Sequence, residues 1–439
     1  MPSLDDPLAI GDLQLDNRLY RAPLLECAGN GPDAVETLIN ELRPAAEAGA
    51  GLIFQGATIV RGEGGCAAPG MTRVHDPTFV SDLTALTDAI HDAGGRIAIQ
   101  LEYGGLRSME TWHAGYREAH PETDQLAVSS PPRLLRALDR AGVLSLSPQV
   151  MSTEEVYELA ADFGAAAGYA VDAGYDAIHL AGANMGIIQQ FLSPYYNRRD
   201  DEFGGSLADR TRFLELVHDE IRNRAGDVPL LTKIPAETAA PRAIRRRLSR
   251  SDGVEIARRL DDIGYDALVP VETSVFWDMS IVRGAYPKRA WNDDRFEAEY
   301  AEAFGSPYRT RLVALLNRLQ SRRFGHEPGW NEAFCRSVRD SVGVPVLLEG
   351  GVRDREQIDR LLRSGACDAV GIGRPFYAEP RLPALLLDES GPDRVACESC
   401  NNCAVPQASG ADGVCRTPAV MAEQGERRAA GVYGRAERR

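Results

Sequence analysis

The chain has 439 residues, a formal net charge of −15, 44% hydrophobic residues and 26% charged residues. This composition is typical of a soluble globular protein, and no apolar stretch is long enough to span a bilayer. A surface of this negative charge repels nucleic acid and anionic lipid, so neither is an expected partner. The N-terminal segment lacks the basic and apolar regions of a secretory signal, and we therefore expect a cytoplasmic protein.

Short apolar runs alternate with amphipathic stretches along the chain. The runs predicted as buried parallel strands cover residues 19–23, 51–58, 96–101, 176–183, 229–235, 267–271, 344–349 and 368–372. The clearest predicted helices cover residues 82–93, 153–173, 253–263 and 356–364. Eight strands with helices between them predict a (β/α)₈ TIM barrel, and an open doubly wound sheet is the alternative.

Two long spacers interrupt this alternation, at residues 104–150 and at about 272–340. The second holds three of the four tryptophans, and either a lid over the active-site face or an excursion on the barrel side would account for it. We predict a barrel domain over 1–383 that includes this insertion. A short cysteine-rich extension follows over 384–439, with a polar end that we expect to be frayed.

Two glycine-containing turns follow the last two predicted strands. Gly350 and Gly351 come after VPVLLE, and Gly373 and Arg374 come after DAVGI. Each turn alone could be ordinary turn chemistry. Together, at the ends of adjacent barrel strands, they indicate a phosphate site, because glycine lets backbone N–H groups approach a phosphate and Arg can hold two of its oxygens.

Longer motifs carry a resemblance to a known family. The stretch DAVGIGRPFYAEPRLP and the segment GYDAIHLAGANMGIIQQFLSPYYNRRDDEFGGSLADRTRF resemble the last strand and the fourth-strand signature of the old yellow enzyme family. Similar matches cover about 5–270 and 340–385. The resemblance implies an FMN-binding barrel whose cofactor contacts are Pro23, Leu24, Ala57, Gln100, Lys233, Gly350, Gly351, Gly373 and Arg374.

Lys233 takes the place of the family's usual arginine near N1 and O2 of the flavin. A fixed cation there stabilises the negative charge that a flavin gains on reduction. The chain has only one other lysine, Lys288, so a lysine at this position favours a functional role.

The substrate-binding positions depart from the family pattern. Where the resemblance implies a His, a His or Asn, and a proton-donating Tyr, this chain has Ala181, Asn184 and Gly186. Alanine and glycine cannot donate protons, so we keep Asn184 as a catalytic candidate and look elsewhere for a donor. His179 is interpreted as structural, on the other face of its strand.

The substitute donors named from the sequence are Tyr103, in the third-strand loop, and Tyr196, after the fourth strand; Tyr195 is adjacent. Each could equally be a packing aromatic. Asn197, Arg199, Asp201 and residues 204–206 are expected to form a structural corner rather than a reactive group.

The tail contains four cysteines in the pattern C-x2-C-x2-C-x11-C: Cys397, Cys400, Cys403 and Cys415. Short CxxC loops bring thiolates onto one centre, so we predict a shared metal site. The 2,4-dienoyl-CoA reductase branch has a similarly placed [4Fe–4S] cluster, with one more residue between its second and third cysteines. We favour [4Fe–4S] over Zn²⁺, with free thiols as the third alternative.

These features predict an FMN-dependent oxidoreductase that exchanges hydride at flavin N5 with a small organic molecule. No GxGxxG motif follows a strand in the tail, so NAD(P)H is expected as a diffusible reductant. A flavin-free phosphate-binding barrel of the aldolase or isomerase type, and an electron carrier without substrate chemistry, remain open. The sequence is compatible with a homo-oligomer.

Overall fold

The computed structural model describes residues 2–62, 64–142, 144–389 and 392–434. The strands are β1 Leu8–Ile10, β2 Leu13–Leu15, β3 Leu19–Arg21, β4 Leu52–Ile59, β5 Ile97–Glu102, β6 Gln125–Ala127, β7 Pro148–Val150, β8 Ala177–Leu180, β9 Leu230–Ala236, β10 Ala267–Glu272, β11 Leu347–Glu349 and β12 Ala369–Ile372. The helices begin with α1 Ala34–Glu47, α2 Pro77–Asp82, α3 Thr84–Asp92, α4 Met109–Trp112, α5 Ala114–Ala119, α6 Arg133–Arg140, α7 Thr153–Asp172, α8 Ile187–Leu192 and α9 Leu207–Ala225. They continue with α10 Arg250–Ile263, α11 Lys288–Trp291, α12 Glu297–Phe304, α13 Pro307–Arg323, α14 Glu332–Arg339, α15 Arg355–Arg363, α16 Leu382–Leu386, α17 Ala404–Gln407 and α18 Pro418–Ala429.

Eight parallel strands form the central sheet in the order β10-β9-β8-β5-β4-β3-β12-β11. A parallel bridge between Leu268 and Val346 joins the two ends of this order, so the sheet closes into a barrel. The predicted TIM barrel is confirmed, and each predicted strand is present, most within one or two residues of its predicted bounds. The open-sheet alternative is wrong, because it would leave β10 and β11 unpaired at opposite edges.

Alternation along the strands separates an inner from an outer layer of side chains. One buried cluster fills the lower barrel with small and branched residues from the strand starts, and the β1–β2 hairpin adds Ile10, Leu13 and Leu15 beneath it. A much larger cluster lies between the sheet and the surrounding helices. Polar inward-facing residues near the carboxyl ends of the strands therefore lie at the mouth of a packed core.

The two spacers carry secondary structure of their own. Residues 104–150 hold α4, α5, α6 and the two-stranded β6–β7 sheet. Within 272–340, α14 packs on the barrel through buried Phe334, Cys335 and Val338, so the part added to the barrel ends before α14. Part of the tail docks on the barrel, and the expected frayed end stays a prediction. Helix α18 and buried Tyr433, whose hydroxyl donates to Glu379, dock it on the barrel, whereas residues 435–439 lie outside the described part of the chain.

A bulge in β4 places the loop after β3 against the next strand. The register between β4 and β5 shifts between Gln55 and Ala57. At Gly56, which lies between them, the backbone N–H donates to Glu26 at 2.8 Å, and an added Cβ would overlap the Leu24 carbonyl oxygen. Only glycine permits this approach, which holds Leu24 beside the barrel mouth.

We expect Gly56→Ala to lower the free energy of unfolding by at least about 3 kcal/mol, because the methyl group must displace backbone rather than a flexible side chain. Urea denaturation followed by circular dichroism measures this change. Gly31→Ala is the matched control, since an added Cβ there meets nothing within 4 Å. Equal midpoints for the two variants would show that the loop after β3 is free to move away.

Candidate functional site

A cleft lies at the carboxyl ends of the barrel strands, where TIM barrels place their active sites. Asn184 lines it together with seven of the residues predicted from the resemblance, which are Pro23, Leu24, Lys233, Gly350, Gly351, Gly373 and Arg374. Ile281, Val282 and Trp330 of the insertion lie across it. The cleft volume of about 160 Å³ is below the range of about 300–1,000 Å³ typical of ligand sites because of this cover.

The two glycine turns present unused backbone donors. The N–H groups of Gly350, Gly351 and Gly373 donate to no acceptor among the described residues. Gly350 and Gly351 have φ of +119° and +76°, and a Cβ on Gly350 would lie 2.8 Å from the Trp330 ring. Glycine is therefore required both by the left-handed backbone and by close packing of the insertion, a second cause that the sequence did not indicate.

We call the turns at Gly350, Gly351 and Gly373 the glycine cradle. Two arginines lie between this cradle and the cysteine tail. Arg374 lines the cleft, but its guanidinium donates to the Asn401 side chain and, at 2.7 Å, to the Arg283 carbonyl oxygen. Arg353 is buried and donates to Ser399 Oγ at 2.8 and 3.1 Å. Both are positive groups beside the cradle, although Arg374 is held by protein acceptors rather than directed only at the cleft.

Lys233 forms an ion pair that the sequence did not predict. Its Nζ, on β9, lies 2.7 Å from Glu349 Oε2, on β11, past the intervening strand β10, and both side chains are largely buried. Tyr20 Oη is 3.5 Å from the other carboxylate oxygen. Burial, and then the Glu349 charge, raise the pKa of Tyr20 well above its usual value, so the phenol stays protonated.

Gln100 and Ala57 are neighbours on adjacent strands, as their register shows. They are not among the residues that line the cleft. Gln100 Nε2 donates to His179 Nδ1 at 2.9 Å, and the His179 ring meets the edge of Phe54 inside the barrel.

The predicted orientation of the His179 side chain is wrong, because it points into the barrel interior. Residues 177, 179 and 181 share one face of β8, and that face is the barrel interior. Burial and the Lys233 charge hold the pKa of His179 well below its usual value, so its ring is neutral. Its Nε2 atom is buried without a hydrogen-bond partner.

Asn184 reaches the cleft from a loop that glutamines hold in place. It adopts φ of +71°, and its side chain makes no hydrogen bond to another described residue. Gln189 accepts from the Met185 N–H at 2.7 Å, and Gln190 donates to the Met185 carbonyl at 2.6 Å. The amide of Asn184 is thus fixed at the cleft and available to a ligand.

The two tyrosines proposed as donors lie away from the cleft. Tyr103 is buried against Gly65 and lines a separate pocket with Arg61. Tyr196 donates its hydroxyl to the Val275 carbonyl oxygen at 2.6 Å. Burial raises the pKa of both phenols, and their placement does not favour a catalytic role.

A buried carboxyl approaches the position where the family tyrosine is missing. A Cβ on Gly186 would lie 3.0 Å from Glu102 Oε1, at the end of β5. Glu102 pairs with Arg107 at 2.9 Å. Burial raises the pKa of Glu102, and Arg107 and Lys233 lower it by less. Sequence reasoning missed this residue, although its even spacing from Gln100 places it on the same strand face.

The remaining signature residues form the expected structural corner. Asn197 donates to the carbonyls of Phe191 and Phe203 at 2.7 and 2.6 Å. Arg199 pairs with Asp201, and this contact lowers the pKa of Asp201 to about 2. These groups tie the loop after β8 to the β6–β7 region rather than reaching the cleft.

The four tail cysteines line one small cavity together with Arg374. Ser399 and Asn401, which alternate with them, have φ of +57° and +62°, and alternating left-handed residues turn backbone N–H groups towards an anionic centre. Cys400 Sγ lies 3.0 Å from Thr417 Oγ1 and 3.4 Å from Asn402 Nδ2. Within the described ranges, no group of three or more potential ligands is arranged to hold a single metal ion. The metal site therefore stays a prediction.

Comparison with protein families shows which family the chain belongs to. The model of the NADH:flavin oxidoreductase / NADH oxidase family matches residues 3–291. The chain belongs to this family of FMN-dependent oxidoreductases, and the resemblance seen in the sequence is confirmed.

Curated relatives carry different activities. The chain is 25% identical over 403 residues to an NADH oxidase of Thermoanaerobacter brockii and to a metal reductase of Desulforamulus reducens, with 91% of this chain aligned in each case. It covers only 53% and 51% of those proteins. It is 28% identical over 437 residues to a 4,4'-dithiodibutanoate disulfide reductase of Rhodococcus erythropolis, with 96% and 97% of the two chains aligned.

Solved structures show the same fold. A 2-naphthoyl-CoA reductase complex matches with a TM-score of 0.71 at 19% identity, over 96% of this chain and 58% of that one. An old yellow enzyme homologue from Zymomonas mobilis matches with a TM-score of 0.65 at 22% identity, over 96% and 99% of the two chains.

The side chains and backbone groups of the cleft fit an FMN. Unused N–H groups and two nearby guanidiniums suit a phosphate, and Trp330 Nε1 is buried there without an acceptor. Lys233 supplies the cation expected beside a reduced flavin.

We expect anaerobically purified protein to contain one metal centre bound by the four tail cysteines, with about four irons per chain for [4Fe–4S] or one zinc for the rival site. Elemental analysis measures the metal, and Cys400→Ser should lower it. Cys335→Ser is the control, because Cys335 is buried under α14 away from the tail. Four tail thiols that react freely with a thiol reagent, in protein without metal, would contradict the prediction.

Proposed function

We propose that the chain is an FMN-dependent oxidoreductase that passes a hydride through flavin N5 between NAD(P)H and a small organic substrate, in the cytoplasm. The observation that carries the proposal is the convergence of the glycine cradle, Lys233 and Asn184 on one cleft at the mouth of the barrel. A flavin-free phosphate-binding barrel would use the same cradle, but the match to an NADH:flavin oxidoreductase family does not favour it.

The residues assigned to FMN divide by chemistry. Gly350, Gly351 and Gly373 offer backbone donors to the phosphate, and Arg353 and Arg374 add positive charge. Pro23, Leu24 and Ala57 are assigned to contacts with the ring system, and Gln100 and Lys233 to its polar edge. When bound, FMN supplies two-electron chemistry, accepting and donating hydride. Lys233 holds positive charge where the reduced ring is negative.

Glu102 is the proton donor in this proposal, in place of Tyr103 and Tyr196. A carboxyl with a raised pKa retains its proton closer to neutral pH than an exposed glutamate does. Its O–H would pass the proton to the substrate as the hydride arrives, and water would return the proton to the carboxylate. Asn184 would orient the substrate through its amide, which has no other partner.

The tail is proposed to hold a [4Fe–4S] cluster through Cys397, Cys400, Cys403 and Cys415. Support comes from the shared cavity of the four cysteines and from the positive charge of Arg353 and Arg374 beside it. The rival assignment is a single zinc ion held by the same four thiolates.

We expect the purified protein to be yellow with FMN, and to bleach when NADH or NADPH is added anaerobically. Absorption spectroscopy, with chromatography of the released cofactor, measures both. The organic oxidant to test first is 4,4'-dithiodibutanoate, the substrate in the name of the relative that matches along its full length. Its reduction balances as one hydride and one proton per disulfide, giving two thiols. Folded protein that stays colourless after incubation with FMN would refute the proposal.

Two lysine variants give that experiment a matched control. Lys233→Ala should slow flavin reduction by about two orders of magnitude, since an electrostatic contact of this kind stabilises the transition state by about 2.7–4 kcal/mol. Lys288→Ala should leave the rate unchanged. The double variant Lys233→Ala/Glu349→Gln removes the unpaired buried carboxylate, so it should regain stability but not rate.

We expect Glu102→Gln to slow flavin reoxidation by the disulfide about a hundredfold, the contribution of a typical general acid. In the parent enzyme this rate should fall as the pH rises through the raised pKa of Glu102, because the donor is lost, and the variant should lack this pH limb. Stopped-flow traces across a pH series measure both. Glu110→Gln is the control, a buried carboxyl with a raised pKa that contacts the Gly65 N–H instead. An unchanged pH profile in Glu102→Gln would exclude the assignment.

A further inference from the structure

A second, larger cavity opens beside the redox cleft, between the insertion, the 104–150 spacer and the tail. Its volume is about 530 Å³, within the range of about 300–1,000 Å³ for ligand sites. We name it the aromatic chamber for the residues on its wall, Trp112, Trp277, Trp291, Phe304, Tyr308 and Leu312. None of these residues was assigned a function from the sequence.

The aromatic side chains form one connected wall. The rings of Trp112 and Trp277 have centroids 4.9 Å apart, and Phe304 lies 6.1 Å from Trp112 and 6.2 Å from Trp291. Such a wall offers large, rigid contact area to a flat apolar molecule. It therefore favours a ligand with an aromatic or polycyclic body.

Helix α13 leaves its apolar face uncovered on this cavity. None of its residues is buried. Leu312 and Leu316 line the chamber and are 39% and 46% exposed. A helix of this kind normally buries its apolar face against another element. A bound apolar molecule would give this face the cover that the protein itself does not provide.

Two arginines supply the polar part of the chamber. Arg117 and Arg309 both line it, and neither forms an ion pair or a side-chain hydrogen bond with any described residue. Arg117 Nη1 is buried without a partner. Burial, and then the charge of Arg309, lower the pKa of Arg117. Asp278 is also on the wall, where its carboxylate accepts from the Ser280 N–H at 3.0 Å.

Two unpaired guanidiniums in an apolar cavity indicate an anion. Arg309 is exposed, but Nη1 of the half-buried Arg117 lies buried without a partner, and a carboxylate or sulfonate would pair with both guanidiniums at once. An apolar wall with a single positive corner matches a molecule that is apolar along its length and anionic at one end.

The chamber adjoins the redox cleft. Val282 lines both cavities. The Arg107 guanidinium lies 5.5 Å from the ring centroid of Trp277, and Arg107 is the partner of Glu102. A ligand along the aromatic wall would thus have its far end near the proposed proton donor.

We infer that the aromatic chamber receives the organic substrate, a molecule with an aromatic or otherwise apolar body and an anionic end group held by Arg117 and Arg309. Its identity as substrate rests on the proposed function, whereas its binding rests on the chamber alone. The anionic end lies at the two arginines, and the reducible end points towards Val282 and Glu102.

Two fluorescent dyes of nearly equal shape test the binding. Anilinonaphthalene sulfonate has the anionic group, and phenylnaphthylamine is the same ring system without it. We expect Arg117→Gln and Arg309→Gln each to weaken binding of the sulfonate about tenfold, the effect of losing a charge-assisted hydrogen bond, and to leave the neutral dye almost unchanged.

Two further variants control this result. Arg311→Gln, on the same helix but outside the chamber, should leave both dyes unaffected. Val313→Trp should weaken both, because the indole fills the chamber. Sulfonate affinity that is the same in the parent, Arg117→Gln and Arg309→Gln would overturn the anion site. Affinity of both dyes unchanged in Val313→Trp would overturn the chamber itself.

The role as substrate site is tested separately from the flavin chemistry. Flavin reduction by NADH, measured without dye, tests the proposed function. Reoxidation by the disulfide is then measured with and without the bound sulfonate dye. Competitive inhibition that is lost in Arg117→Gln supports the substrate assignment. Reoxidation unaffected by saturating dye overturns it, even when NADH reduces the flavin normally.

Discussion

The structure depends on one buried ion pair, Lys233 with Glu349, which joins β9 to β11 past the intervening strand β10 at the barrel mouth. Taking both charges out of water is costly, and the cost is offset only while the partners remain together. The pair lies directly above the packed barrel core and on the wall of the cleft, so it sets the charge beneath any bound cofactor. Removing either partner leaves the other buried and unpaired. The lysine therefore has a structural partner as well as the chemical role predicted for it.

The positive charge of Lys233 also changes the pKa of two neighbouring side chains. Lys233 acts on His179 and on Glu102, lowering the pKa of both. His179 is thereby kept neutral and bound to Gln100, while burial outweighs the cations at Glu102 and leaves it easily protonated. Burial is the larger cause at both groups, and Lys233 adds to it at His179 but opposes it at Glu102.

Much of the fold followed from local sequence pattern. The strands of the barrel are short apolar runs whose buried residues come from both faces, and helices such as α7 begin at a capping serine, Ser152. The cradle glycines were predictable because two glycine turns follow adjacent barrel strands, where such folds place a phosphate site. The expected orientation of His179 was wrong, because residues two apart in a strand share a face. His179 therefore points into the barrel together with residue 181.

The rest of the site depends on contacts between distant segments. Nothing in the sequence near Glu102 indicates that Gly186 comes within reach of its carboxyl, since the two belong to different strand ends. The close packing of Trp330 on Gly350 is likewise a product of how the insertion folds back. The two tyrosines named from the sequence follow β5 and β8 but point away from the cleft, because loop direction after a strand is set by tertiary packing rather than by alternation.

The insertion and the tail act on the barrel mouth as a single cover. Arg374 at the end of β12 donates both to Asn401 of the tail and to the Arg283 carbonyl of the insertion, so three segments meet at one guanidinium. Trp277 of the insertion contacts Arg107, and Asn401 lines the aromatic chamber as well as the cysteine cavity. Any displacement of the insertion would therefore change the contacts of Arg374, and with them the surroundings of the cysteines. Because these contacts share residues, a change in one of them would alter the width of the cleft, the shape of the chamber and the charge beside the tail.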